Sequence, residues 1–479
     1  MKSIQSLLRA RWTAVSLVLT TLMILASVRS LDAQQGDLSE WQQLARDVFE
    51  ELIEINTSHS VGGTLEASHA MAARLIAAGF DEGDVTVTEV VPGEGNMVAR
   101  LRGRPGSNLK PILLLAHIDV VEADPADWTL PPFEFIEEGG EFFGRGVADD
   151  KDEAAIYVAN LIRMKKEGYT PARDIIVALT SDEEGGPHNG VAWLLENRPE
   201  LVDAAYALNE GGGGTLHDGS HISNNVQASE KKYLNFIVEA TNPGGHSSVP
   251  RPDNAIYELS KALLGIGRYD HPAKLNEVTT AYFSRTADIV GGEMGAMMRR
   301  VVTDPSDDEA VAYLAVEPGY NSRMRTSCVA TLLDGGHAPN ALPQRATANV
   351  NCRILPDEDP SVVLERLRAA AGDAEVTVNM DGSATNSPPS PLTPEVLGTI
   401  ERVTEEMWPG VPVIPTMSTG ATDGLYFRNA GIPVYGVSGL FYDQPNAHGM
   451  NEHIPVQSFY EGQEFLYRLV KALSSPNIS

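Results

Sequence analysis

A chain of 479 residues is too long for one ordinary hydrophobic core, and its 42% hydrophobic content suits a globular protein with two domains. A formal net charge of -29, with no basic stripe to offset it, argues against nucleic acid as a partner, because phosphates would be repelled. The two cysteines, Cys328 and Cys352, exclude a disulfide-built scaffold and a cysteine-rich metal site.

Residues 1–33 stand apart. Lys2, Arg9 and Arg11 precede an apolar stretch over 12–26, and small residues follow near Ala33, which is the layout of a secretory signal peptide. The chain is therefore expected to be exported, periplasmic or secreted; an uncleaved N-terminal anchor is the alternative, although the apolar stretch is short for a membrane span. Helical periodicity over 38–55 and 64–78 leads into strands at 84–91 and 96–102. The run 110–116 is continuously apolar and suits a strand buried on both faces. A helix at 152–167, a strand at 174–180, a helix at 190–196 and a strand at 204–208 follow. Such alternation predicts an α/β fold with a mainly parallel sheet flanked by helices.

From residue 232 the pattern changes to strand 233–240, a glycine-proline turn, helix 254–268, strands 326–333 and 345–354, helix 360–371 and strand 375–379. This is a βαββαβ plan, read as an inserted lid or dimerisation domain. Its middle, 271–321, is longer than the plan needs and carries the methionine-rich run 294–298, read as core filler. A helix over 394–406 and a buried strand over 434–440 return to the first pattern. The expected division is a signal peptide at 1–33, a catalytic domain at 34–231 and 383–479, and the inserted domain at 232–382. If 326–333 and 345–354 form a hairpin around Pro339-Asn340, a symmetric register sets Cys328 opposite Cys352, and export would permit a disulfide; two buried free thiols are the alternative.

The chemistry gathers in five segments centred on His117/Asp119, Asp149, Asp182-Glu183-Glu184, Glu210 and His448. Each alone reads as a charged loop; together they supply imidazole and carboxylate ligands suited to Zn²⁺. A carboxylate shared between two ions roughly 3.5–4 Å apart would let the pair clamp one hydroxide. Asp149, in a loop opened by Gly144 and Gly146, is the bridging candidate, with Asp150 its rival. In an extended His117-Ile118-Asp119 the outer side chains share one side, so Asp119 is placed to accept a ring proton or orient the site. Adjacent carboxylates point different ways: Glu183 is assigned as general base and Glu184 as ligand. His246, in a glycine-rich turn, is a candidate oxyanion donor that would have to reach across from the inserted domain. Arg353 and Asn340 lie at opposite ends of a predicted strand and its leading turn; the arginine could hold a substrate carboxylate bidentately, a surface salt bridge being the plain reading.

These residues resemble the co-catalytic dizinc metallopeptidases, family twenty of clan MH, which includes glutamate carboxypeptidase, carboxypeptidase S, carnosinases, aminoacylases and acetylornithine deacetylase. The resemblance runs from about residue 40 and rests on 114–121, Gly144-Arg145-Gly146 through Lys151, 182–186, Gly245-His246-Ser247-Ser248 and 448–452. It implies His117, Asp149 and Glu210 at one metal and Asp149, Glu184 and His448 at the other. It also implies Asp119 orienting, Glu183 as base, and His246 as an oxyanion donor, often across a dimer. Asn340 and Arg353 would bind the substrate carboxylate, and Gly420 and Thr422, in Gly420-Ala421-Thr422-Asp423, would lie near the substrate. Two departures stand out: Asp152 where the family usually has glycine, and Asn209 before Glu210. Length and the enlarged inserted domain look closest to the carboxypeptidase S and acyl-amino-acid hydrolase branch.

The expectation is a hydrolase with two Zn²⁺ ions, Co²⁺ or Mn²⁺ being able to substitute. It would cleave a peptide or N-acyl amide bond next to a free carboxylate through a bridging hydroxide, acting on small peptides or N-acyl amino acids, and a homodimer through the inserted domain is left open. A non-catalytic peptide-binding protein on the same fold is the alternative, and a two-metal phosphatase a third reading.

Overall fold

Ile112–His117 is buried along its whole length, as its apolar run requires. In the computed structural model, which describes residues 38–475, this strand lies between Ile175–Thr180 and Tyr206–Asn209 and parallel to both. The signal peptide expected at 1–33 falls outside the described residues. The described residues from Ala45 onward form one compact unit that contains both large sheets and the site.

The larger sheet has ten strands. Val85–Val91 and Glu94–Leu101 form an antiparallel edge against Ile175–Thr180. Beyond Tyr206–Asn209 the sheet continues with Val434–Gly436 in parallel and then with Ser220–Glu230 antiparallel to that strand; Ser220–Glu230 in turn pairs with Val413–Ser418 in parallel and with Gly213–His217 antiparallel. Side chains alternate across the central strand. Leu113 and Leu115 pack with Val191, Leu194 and Phe427 on one face. The nearly wholly buried helix Lys151–Lys166 also rests on this strand, and Val456–Ser474 packs outside it, tied by a hydrogen bond from Asn160 Nδ2 to the Gln463 carbonyl at 2.9 Å. The fold is α/β with a mainly parallel sheet between helices, as the alternation predicts.

The second sheet runs Ser327–Gly335, Arg345–Ile354, Lys232–Thr241, Val376–Asp381, all antiparallel. Helices Ala255–Gly267 and Pro360–Ala370 cover it through Leu259, Val363 and Leu367 against Phe236, Val238 and Val350. The long middle segment folds into four helices, Glu277–Val290, Gly292–Thr303, Asp308–Leu314 and Pro318–Met324, around Phe283, Met298, Val301 and Leu314. Met298 is core filler, as its setting suggested. The first of these helices docks on the larger sheet: Arg285 Nη1 donates to the Val413 carbonyl and to Glu401, each at 2.7 Å.

Cys328 pairs with Cys352 across the two neighbouring strands, and the two are joined in a disulfide. A bridge closing a separation of 24 residues constrains the unfolded chain. Replacing both cysteines by alanine should therefore lower stability by about 2–4 kcal/mol, read from the urea midpoint. An unchanged midpoint, or two free thiols in the unreduced protein, would contradict the bridge.

Candidate metal centre

Parallel strands bring their carboxyl ends to one edge, where open α/β sheets bind ligands. His117 ends Ile112–His117, Glu183 and Glu184 follow Ile175–Thr180, and Glu210 follows Tyr206–Asn209 directly. Asp149 stands just before helix Lys151–Lys166, and His448 lies in the loop after the last strand of the sheet, with φ 62°.

The side chains converge. His117 Nε2 lies 3.0 Å from Asp149 Oδ1, and His448 Nε2 lies 3.0 Å from Asp149 Oδ2 and 2.9 Å from Glu184 Oε1. One ligand atom each from His117, Asp149 and Glu184 falls within a 4.8 Å span, and so does one each from His117, Glu183 and Glu210. Asp149 thus has one carboxylate oxygen toward each histidine. All five sequence-derived ligands are brought together, and Asp150 belongs to neither group.

Asp119 orients the centre differently from a simple imidazole partner. His117 Nδ1 donates to the main-chain carbonyl of Asp119 at 3.1 Å, whereas the Asp119 carboxylate is 3.7 Å from that nitrogen. Its Oδ2 instead accepts the Glu184 N–H at 2.9 Å and so fixes the backbone of the acidic pair. Asp182, with φ 63°, builds the turn itself: Oδ2 accepts the His188 N–H at 2.6 Å. A Cβ at Gly186 would sit 1.5 Å from Asp182 Oδ1, so this turn demands glycine.

A buried ion pair frames the loops. Arg145 Nη1 is 2.6 Å from Glu452 Oε2, both side chains being almost fully enclosed. Glu452 Oε1 accepts the Ala148 N–H at 2.8 Å, one residue before Asp149, while Arg145 Nη2 donates to the carbonyls of His448 and Gly449 at 3.4 and 3.1 Å. Neither residue was singled out individually from the sequence, although both lie inside the segments that carry the family resemblance.

Protonation follows from burial and from this crowding. Burial pushes Glu183 up to about 8 and Glu210 well above the usual carboxylate range, with neighbouring carboxylates adding to the shift. Burial works against charging His117, yet its contact with Asp149 and the charges of Asp149, Glu183 and Asp119 hold its pKa well above that of free imidazole. Hydrogen bonds to Asp149 and Glu184 raise His448 to about 10. Burial also lifts Asp423 to about 7; its carboxylate takes hydrogen bonds from Asn189 and Thr180. Two imidazoles facing this many enclosed carboxylates make a donor set that fits divalent cations.

The remaining predicted residues lie elsewhere. His246 and Asn340 are exposed neighbours in a two-stranded ribbon, where the Ser247 N–H donates to the Asn340 carbonyl at 3.0 Å and His246 Nδ1 meets Ser248 Oγ at 2.7 Å. Arg353 sits at the other end of its strand, against Tyr233 at 4.8 Å from the ring centre. Thr422 is buried, and both its N–H and its hydroxyl donate to Glu230 Oε2 at 3.0 Å. The Gly420 N–H donates to Ser418 Oγ at 3.0 Å. Glu230 is also paired with the buried Arg428 at 2.8 Å, so the Thr422 turn braces an internal ion pair.

Breaking the Arg145–Glu452 pair should be costly. Glu452→Ala strands a buried guanidinium and should lower unfolding free energy by about 3–5 kcal/mol in metal-free protein, measured in urea. A loss below about 1 kcal/mol, the range of a surface pair, would contradict the frame.

The sequence family described as Peptidase family M20/M25/M40 matches residues 113–472. The N-fatty-acyl-amino acid synthase/hydrolase PM20D1 of Xenopus tropicalis is 28% identical over 383 residues, 78% of this chain and 74% of that protein. The M20 family metallo-carboxypeptidase Sso-CP2 of Sulfolobus solfataricus superposes with a TM-score of 0.67 at 18% identity, over 91% of this chain and 100% of that one. The YXEP protein of Bacillus subtilis, described as a dinuclear metal binding peptidase, superposes with a TM-score of 0.57 at 11% identity, over 91% and 98%. With a matching family over most of its length and the carboxylate–imidazole centre at its sheet edge, the chain belongs to peptidase family M20/M25/M40 and is an enzyme that hydrolyses peptide or amide bonds.

Proposed function

We propose that the enzyme hydrolyses a peptide or N-acyl amide bond beside a free carboxylate, with Glu183 as general base. The observation that carries this is the contrast within the acidic pair. Glu184 is held by His448 and, through its backbone, by Asp119, whereas the Glu183 carboxylate sits among the ligands with no hydrogen-bond partner among the described residues. Two Zn²⁺ ions, replaceable by Co²⁺ or Mn²⁺, would be held by His117, Asp149, Glu184, Glu210 and His448, and would polarise the amide carbonyl and acidify water. Glu183 then accepts the proton of the attacking water and returns it to the leaving amine. Asp119 keeps Glu184 and His117 in register while this happens.

The oxyanion donor and the carboxylate clamp are assigned to His246, Asn340 and Arg353. One chain carries His246 and Arg353 at opposite ends of the smaller sheet, so a second copy is the natural source of His246 and Asn340. The edge strand Ser327–Gly335 supports a homodimer: it pairs on one side only, and Val329, Leu332 and Leu333 are 60–70% exposed. The Cys328–Cys352 bridge supports export, since such bonds persist in oxidising compartments.

Glu183→Gln should reduce kcat by about 10²–10⁴-fold on dipeptides or N-acyl amino acids, with metal content and circular dichroism unchanged. Near-normal turnover would reject Glu183 as base. Mixing inactive Glu183→Gln with inactive His246→Ala should restore roughly a quarter of wild-type activity if sites are shared across a two-fold dimer. No recovery after subunit exchange would place His246 outside the partner's site.

A further inference from the structure

Beside Asp149 and Glu210 a cavity of about 630 Å³ opens between the metal centre and helix Glu277–Val290. Its inner wall is more acidic than the ligand set requires. Asp150, Asp152 and Glu153 line it, each no more than 4% exposed. The ion pairs of the centre join His117 and His448 to Asp149 and Glu184 and leave these three out. Lys151, the cation nearest in sequence, turns away and donates to the carbonyls of Leu52 and Ile55 at 2.8 and 2.9 Å.

Local hydrogen bonds do not satisfy the three. Asp152 Oδ1 accepts the Glu153 N–H at 2.9 Å and Glu153 Oε2 accepts the Tyr157 hydroxyl at 2.8 Å, whereas buried Asp150 Oδ2 has no partner. The first turn of helix Lys151–Lys166 favours negative charge at Asp152 and Glu153, but a macrodipole does not replace a counter-ion for enclosed carboxylates. The helix side is largely apolar, with Tyr282, Ile289 and Val290 beside Thr286. Arg323, also on that side, donates to the Gly319 carbonyl at 2.9 Å and stacks on Tyr282, while its buried Nε has no partner.

An aliphatic stem ending in a cation fits both walls, methylenes against the helix and charge on the acidic side. A long neutral chain would leave the three buried carboxylates without a counter-ion. We infer that this cavity selects a substrate residue bearing an ammonium or guanidinium group on an aliphatic stem, with Asp150, Asp152 and Glu153 as the specificity determinants. The inference rests on the amide-hydrolase reading above for its reaction and on the cavity alone for its selectivity.

The test compares Ala-Lys and Lys-Ala with Ala-norleucine and norleucine-Ala, which keep the stem and lack the charge. With the zinc-loaded full chain, kcat/KM should favour lysine over norleucine by about 10–100-fold at one of the two positions, the scale of a hydrogen bond to a charged group. The ratio should fall toward one in the double variant Asp152→Asn, Glu153→Gln. Calorimetric titration of the same four peptides into zinc-loaded Glu183→Gln protein measures selectivity without turnover. Equal affinity for lysine and norleucine peptides would overturn the inference and leave the hydrolase reading intact. Lysine-selective binding with no peptide ever cleaved would uphold it and overturn that reading.

Discussion

The buried pair between Arg145 and Glu452 is the contact on which the centre depends. The two residues are 307 positions apart, and each adjoins a ligand loop. One carboxylate grips the backbone at Ala148, and one guanidinium grips the carbonyls at His448 and Gly449. Asp149 and His448 are thereby set 3.0 Å apart by a contact that involves neither of their side chains. A pair so enclosed gains little over apolar residues of the same shape, but it fixes one geometry, since any other would leave a buried charge alone. The glycines beside it belong to the same constraint: a Cβ at Gly146 would come within 2.8 Å of Val120.

A second constraint is electrostatic. The sheet edge collects Asp119, Asp149, Glu183, Glu184 and Glu210, with Asp150, Asp152 and Glu153 behind them, against two imidazoles. Burial resists ionising Glu183 and Glu210, and the imidazoles are driven toward their charged forms by the same carboxylates. Divalent cations bound here would reverse that balance by letting the ligands ionise, which would link metal binding to the stability of this edge. The position of Glu183 within this field, close to the ligands and with no hydrogen-bond partner among the described residues, suits a group that must change protonation during a reaction.

Much of the centre was legible because its chemistry is local in sequence. The apolar run that makes Ile112–His117 a central strand also delivers His117 to its end, and the alternation of strand and helix predicts which edge the acidic triplet reaches. The register that joins Cys328 to Cys352 followed from hairpin symmetry, despite a bulge between Ala330 and Leu332. Ser220–Glu230 gave no such signal, because its buried residues are largely polar, and a contact such as Asn224 Nδ2 to Thr404 Oγ1 at 2.9 Å joins positions far apart in the chain. Thr422 was placed near the substrate by the family resemblance; a turn of small residues says nothing of the Glu230 that its N–H and hydroxyl reach. The helical segment 277–324 was visible only as excess length; that it docks on the larger sheet and walls the cavity depends on contacts such as Arg285 to Val413, which composition does not encode.

The centre proposed above has five ligands, with Asp149 shared between two ions. Zinc titration of metal-free protein, followed by elemental analysis after dialysis, tests this directly. The account predicts two tightly held ions per wild-type chain, and loss of both in Asp149→Ala, since removing a shared ligand opens each site. A single ion in the wild type, or two ions retained without Asp149, would contradict it.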